Sequence, residues 1–213
     1  MMSRVLLALF LVAFSATVLA ADPDPLSDFP PDVKSAGDLK FHLPTSPISI
    51  SGPGGNLKLA AGPVFPGLRT QGLSGGVLTY NPCGIVEFHH HPRATEIFYV
   101  ISGKIQVGIY NPATGQIWTN ILGAGDLTVF PRGSIHFQHN YADGPTVAFA
   151  ALNSENPGAI FTANALSAFS NSTVGAAIGK SAAVASRFKG LVDSAVISRG
   201  SIAAGTCRYA PTY

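Results

Sequence analysis

His89 and His91 stand two residues apart, Glu96 follows across Pro92, and His136 lies far downstream. These four positions constrain the fold more than any other feature of the chain. Histidines at i and i+2 on a strand point to one face, and His90 between them points to the other. Glu96 has the wrong parity for the same continuous strand. Pro92 resolves this, because proline interrupts strand pairing; the chain turns through Pro92–Thr95 and returns Glu96 on the next strand. His136 follows the tight turn Pro131-Arg132-Gly133 after a β-rich run, Leu127–Phe130. It meets the other three only if the sheet curls into a barrel.

The same set decides the chemistry. Three neutral imidazoles and one carboxylate suit Mn, Fe, Co, Ni, Cu or Zn. Structural zinc sites usually carry cysteines and four tetrahedral ligands, and no cysteine belongs to this group. An octahedral ion would keep open positions for water or substrate, the arrangement for redox or oxygen chemistry. His90 and His139 have the opposite parity to their neighbouring ligand candidates and are predicted to face outward. His42 has no visible partner. Asn140 and Gln138 share the parity of His136. Asn140 is a candidate for assisting proton delivery at the site, with ordinary hydrogen bonding inside the barrel as the alternative, the favoured one for Gln138.

The rest of the chain supports a barrel. Short β-rich runs at Gly76–Tyr80, Ile97–Ile101, Ile105–Tyr110, Leu127–Phe130 and Val147–Leu152 are broken by Gly, Pro and Asn, as in a sandwich or small barrel. Asn111-Pro112-Ala113-Thr114-Gly115 is a turn between two of them. Four regions follow: a signal peptide over 1–20, an extended arm rich in Pro, Asp and Ser over 21–56, a β-barrel over 57–155, and a helical extension over 156–213. In the last, Val184, Phe188, Leu191, Val192 and Ala195 lie on one helical face. Ser181 is its N-cap and Gly200 its stop. A second, less regular helix is predicted over Asn164–Ser170.

Arg4 and the apolar run Val5–Leu19, ending in Val18-Leu19-Ala20, form a secretory signal pattern. The run is short of the roughly 20 apolar residues a spanning helix needs. The expectation is a secreted chain with no membrane anchor after cleavage. Basic and acidic residues nearly balance, 13 against 11, which gives no reason to expect nucleic acid or an anionic membrane as partner. Cys83 and Cys207 are the only cysteines. An oxidising compartment permits a disulfide between them, worth roughly 4–5 kcal/mol in the chain-entropy model; two buried thiols are the alternative. Asn171-Ser172-Thr173 is the one N-x-Ser/Thr site with a permitted middle residue.

His89-x-His91-x4-Glu96-x6-Gly103 and Gly125-x5-Pro131-x-Gly133-x2-His136-x3-Asn140 resemble the two cupin signatures. The string His91-Pro92-Arg93-Ala94-Thr95-Glu96 resembles the germin form more narrowly. So do Pro131-Arg132-Gly133 with His136-Phe137-Gln138, and Asp22-Pro23-Asp24-Pro25-Leu26. Asn156-Pro157-Gly158 is similar to the start of the germin C-terminal helices. The resemblance implies a mainly β fold, a double-stranded β-helix barrel with C-terminal helices. It implies manganese, or iron or another divalent transition metal, on His89, His91, Glu96 and His136. It also implies an extracellular homo-oligomer, a hexamer built as a trimer of dimers.

Activities of that family include superoxide dismutase and, in a subset, oxalate oxidase. The chain departs from the pattern in its arm, which lacks the family's two cysteines; Cys83–Cys207 is the candidate substitute. Asparagines that help hold oxalate in the family fall at Gly76 and Val86 here, and Glu87 and Phe88 replace the usual prolines. Loss of two hydrogen-bond donors disfavours a dianion. Superoxide dismutase-type activity on an oxygen species is therefore the first expectation and oxalate oxidase the second. A non-catalytic storage, cell-wall or small-ligand-binding cupin with a structural metal is the third.

Overall fold

The computed structural model describes residues 29–192 and 197–199. The expected signal peptide, the Asp22–Leu26 string and Cys207 lie outside the described residues. Twelve strands are described: β1 Ser49–Gly52, β2 Gly55–Ala60, β3 Ser74–Tyr80, β4 Gly84–His90, β5 Glu96–Ser102, β6 Lys104–Asn111, β7 Gln116–Gly123, β8 Leu127–Phe130, β9 His136–His139, β10 Thr146–Leu152, β11 Ile160–Phe161 and β12 Ile197–Arg199. Three helices, α1 Thr162–Ala168, α2 Asn171–Ala177 and α3 Ala182–Leu191, stand between β11 and β12.

The strands form two antiparallel sheets. One runs in the order β1-β2-β3-β10-β5-β8, the other β11-β4-β9-β6-β7, with β12 also on β4. This is the cupin double-stranded β-helix that the two signatures imply. Period-two patterning builds it. Along β3 every second residue from Ser74 to Tyr80 is buried, and β5 and β10 begin with the same alternation. The inward set is one core cluster between the sheets, centred on Tyr80, Phe98, Val100, Ile105, Val107, Phe130 and Ala148. Each large aliphatic or aromatic side chain removed from water there stabilises the fold by roughly 1.5–3 kcal/mol.

Two expectations need correction. The barrel does not begin at residue 57. Ile48-Ser49-Ile50-Ser51 alternates in hydrophobicity, turns at Pro53-Gly54, and pairs back through β2 onto β3. The proline and serines of this segment made a hairpin look like an arm. The long C-terminal helix also ends early. Ser181 caps α3 as expected, its Oγ accepting from the Val184 N–H. At Val192 the backbone is already extended, and Ile197 is a core strand residue, not part of a helix running to Gly200. Of the stripe that suggested the longer helix, Val184 and Phe188 are exposed. Ser170 does not close a single helix either; it caps α2 by accepting from the Thr173 N–H.

Candidate metal centre

The site is built where both sheets reach the same end of the barrel. His89 lies near the end of β4 and His136 at the start of β9, and the two are register partners. Glu96 opens β5 opposite Phe130 and Leu152. His91 sits just past β4, in the turn that Pro92 imposes. A register irregularity between Val86 and His89 lets both side chains face inward although three residues apart.

One ligand atom from each of His89, His91, Glu96 and His136 lies within 4.8 Å of the others, the one such group among the described residues. His91 Nε2 is 2.8 Å and His136 Nε2 3.6 Å from Glu96 Oε2. All three rings are tied back through Nδ1: His89 to Glu87 O at 2.7 Å, His91 to Gly158 O at 2.5 Å, and His136 to Ser134 O at 2.8 Å. A carbonyl only accepts, so each Nδ1 carries the proton. In the neutral rings each Nε2 then keeps its lone pair, the tautomer a metal requires; without a metal, His91 Nε2 instead carries a proton held by Glu96 Oε2. Phe130 stacks on His136 at 4.2 Å and Phe161 on His89 at 5.4 Å, holding the ring planes.

The electrostatics suit a cation. Burial and the neighbouring His136 depress His89 to about 3, so it stays neutral. Burial would raise Glu96, but the adjacent His136 and His91 rings outweigh it and hold the carboxyl at about 2. Burial lowers His91, yet its bond to Glu96 wins and the net shift is upward. His136 Nε2 is buried without a hydrogen-bond partner. A buried polar atom left so is costly, and a divalent ion among the four ligand atoms would satisfy it. The residues fit a transition metal of the Mn-to-Zn series.

The loop around His91 is fastened to residues 153–158. Arg93 donates from Nε to Asn156 O at 2.6 Å and from Nη2 to Asn156 Oδ1 at 3.0 Å. The Thr95 N–H donates to Asn153 Oδ1 at 2.8 Å. Gly133, at φ +75°, takes a conformation that favours glycine and donates its N–H to His91 O at 3.0 Å. That turn also presents the Ser134 carbonyl to His136. Sequence reasoning missed Glu87 O, Ser134 O and Gly158 O, because a main-chain carbonyl has no residue signature. Asn156-Pro157-Gly158 was visible only as a boundary.

Other candidates are placed as follows. His90 and His139 stay out of the cluster as parity predicts, but both are half-buried, and His139 packs against Tyr141 at 3.8 Å. Asn140 does not serve the metal site. Its Nδ2 donates to the carbonyls of Asn81 at 3.1 Å and Gly144 at 2.9 Å, and its Oδ1 accepts from the Ala142 N–H at 2.9 Å. It clamps turns; strand parity gave its face correctly but not its height in the barrel. Gln138 is buried, with Oε1 lacking a hydrogen-bond partner. Cys83 is buried at φ +63°. Asn171 is exposed at the start of α2. His42 is exposed.

The fold is matched among known proteins. The cupin family model matches residues 42–183. Germin-like protein 8-7 of Oryza sativa subsp. japonica is 38% identical over 182 residues, 76% of this chain and 80% of that protein. Germin-like protein 1-3 of the same organism is 38% identical over 189 residues, 78% of this chain and 84% of that protein. The chain therefore belongs to the cupins, and within them to the germin-like proteins. Among solved structures, a recombinant oxalate oxidase in complex with glycolate superposes with a TM-score of 0.71 at 27% identity, covering 79% of this chain and 96% of that one.

Proposed function

We propose that this germin-like cupin is a secreted, manganese-binding redox protein with superoxide dismutase-type activity. The observation that carries the reading is the convergence of three pre-oriented Nε2 atoms and one ionised carboxylate at a buried point. When bound, manganese supplies one-electron chemistry, by which one superoxide is oxidised to O2 and a second, with two protons, is reduced to peroxide. The chain's part is to fix the ligands. Glu96 offsets positive charge, the Nδ1 tethers hold the rings, and the aromatic rings of Phe130 and Phe161 shield them.

Oxalate oxidase is the second reading, favoured by the likeness to structures of that enzyme. The walls weigh against it. Val86 offers no donor, and a Cβ at Gly76 would sit 2.4 Å from Lys58 O, so no longer side chain fits there without displacing β2. Secretion is proposed from Arg4 and Val5–Ala20. Pairing of Cys83 with Cys207 and a glycan on Asn171 are proposed on the same basis.

The test is elemental analysis of the purified protein with superoxide and oxalate assays on the same sample. The expected result is stoichiometric manganese and dismutase activity, with His136→Ala removing both. Dismutase activity that survives metal loss overturns the reading. Full occupancy without turnover of either substrate makes the protein a binding or storage cupin.

A further inference from the structure

His89 is reached through an irregularity in β4. Val86 faces Gln138 and His89 faces His136 on β9, so Glu87 and Phe88 together oppose Phe137. Such a two-against-one bulge bends the strand and re-aims the side chains beyond it. It also needs holding, because a slip of one residue would send His89 to the outer face. Phe88 is held by its ring, edge-on to Phe137 at 5.3 Å. Glu87 is held by a different element. Its Oε1 accepts from Asn164 Nδ2 at 2.9 Å, a half-buried bond between residues 77 apart in the chain.

Asn164 lies in the first turn of α1, just after Phe161. Phe161 is the register partner of His89 and stacks on its ring at 5.4 Å. The short stretch from Phe161 to Asn164 therefore grips this ligand twice. Phe161 bears on the imidazole, and Asn164 bears on the residue whose carbonyl accepts from His89 Nδ1 at 2.7 Å. The tether of His136 has another origin: Ser134 belongs to a local turn, its N–H donating to Pro131 O at 3.0 Å.

We infer that Asn164 is a positioning residue for the metal centre, acting through the Glu87 side chain on the carbonyl that orients His89. A hydrogen bond to a carboxylate is stronger than one between neutral groups. Holding the Glu87 side chain from α1 holds its backbone in the bulge. The inference rests on the proposed metal centre for its consequence, metal affinity; its cause belongs to the fold without metal.

The test exchanges donor and acceptor without changing side-chain length. Glu87→Gln keeps an oxygen for Asn164 and should leave manganese affinity, measured against a fluorescent chelator, within about threefold. Asn164→Asp sets two carboxylates against each other and should lower it about tenfold. Glu87→Gln combined with Asn164→Asp reverses the bond and should recover affinity to within about threefold. The second readout is the His89 Nδ1–H proton, followed by NMR in zinc-loaded and in metal-free protein. Its exchange with water should quicken about tenfold in Asn164→Asp and in Asn164→Ala, while the His136 Nδ1–H proton stays within about twofold. A merely structural role would move both protons together. Equal quickening of the two, an unmoved His89 proton, or a double variant no better than Asn164→Asp overturns the inference. Selective quickening at His89 in a protein that retains no metal upholds it while the metal reading fails. Retained manganese with an unmoved His89 proton sinks the inference alone.

Discussion

His89, His91 and His136 each give one ring nitrogen to a carbonyl, so their ring directions are set before any ion arrives. That makes the metal-free protein acid-sensitive. A histidine depressed from 6.5 to about 3 is neutral in the fold and protonated in the unfolded chain between those values. Its stabilising effect is present above 6.5 and lost as pH falls toward 3. Glu96, depressed from 4.5 to about 2, acts in the same direction over its lower window, present above 4.5 and lost toward 2. His91 is raised; its contribution is full below 6.5 and lost as pH rises through its folded value, a partial offset near neutrality. The metal-free protein should therefore lose thermal stability steadily from pH 6.5 downward. A Tm that stays flat between pH 6.5 and 4 would contradict this. At this scale the four ligands were legible because parity and one proline determine direction. Asn140 was misplaced because parity does not report distance along a strand.

Among elements, the loop from His91 to Glu96 does not hold itself. It is fixed to residues 153–158 by Arg93, Thr95 and the His91–Gly158 bond. Arg93 touches no ligand atom of the site, yet Arg93→Ala should loosen the carbonyl that orients His91. Loss of such support typically costs about 10–100-fold in metal affinity. Competition with a fluorescent chelator would measure it, and unchanged affinity would show that Gly158 is held by other means. Arg93→Lys should recover only part, since one ammonium does not replace a planar fork on Asn156. The five strand runs read from the sequence all exist, with β3, β5, β6 and β10 extended by one or two residues. The β1–β2 hairpin escaped because its alternation is short and lies among prolines and serines. The end of α3 escaped because an apolar stripe does not reveal whether its partner is in the same chain.

For the whole molecule, one outer sheet face is apolar. Ile97, Tyr99 and Ile101 on β5, Leu127 and Val129 on β8, and Phe149 on β10 are 37–56% exposed. They are register neighbours, Tyr99 against both Phe149 and Leu127, Ile97 against Val129. A contiguous patch of this kind marks an association surface, which supports the homo-oligomer proposed from the family, a hexamer by that resemblance. Tyr99→Lys should lower the mass seen by light scattering without disturbing the barrel core, because the residue faces outward. An unchanged mass would rule this face out as the interface. The sequence pointed to assembly only through the family resemblance, since which apolar residues remain outside depends on the register of strands far apart in the chain.

The return of the chain through β12 onto β4 changes what the helices are. They read as a tail, yet they are threaded between two strands anchored in the same sheet, with Ile197 set in the core beyond them. Topologically they are a parenthesis in the barrel. A protease that nicks the exposed turn at Lys180 should leave two pieces that still migrate as one under native conditions. A truncation that removes β12 with the helices should unravel the wall on which His89 stands.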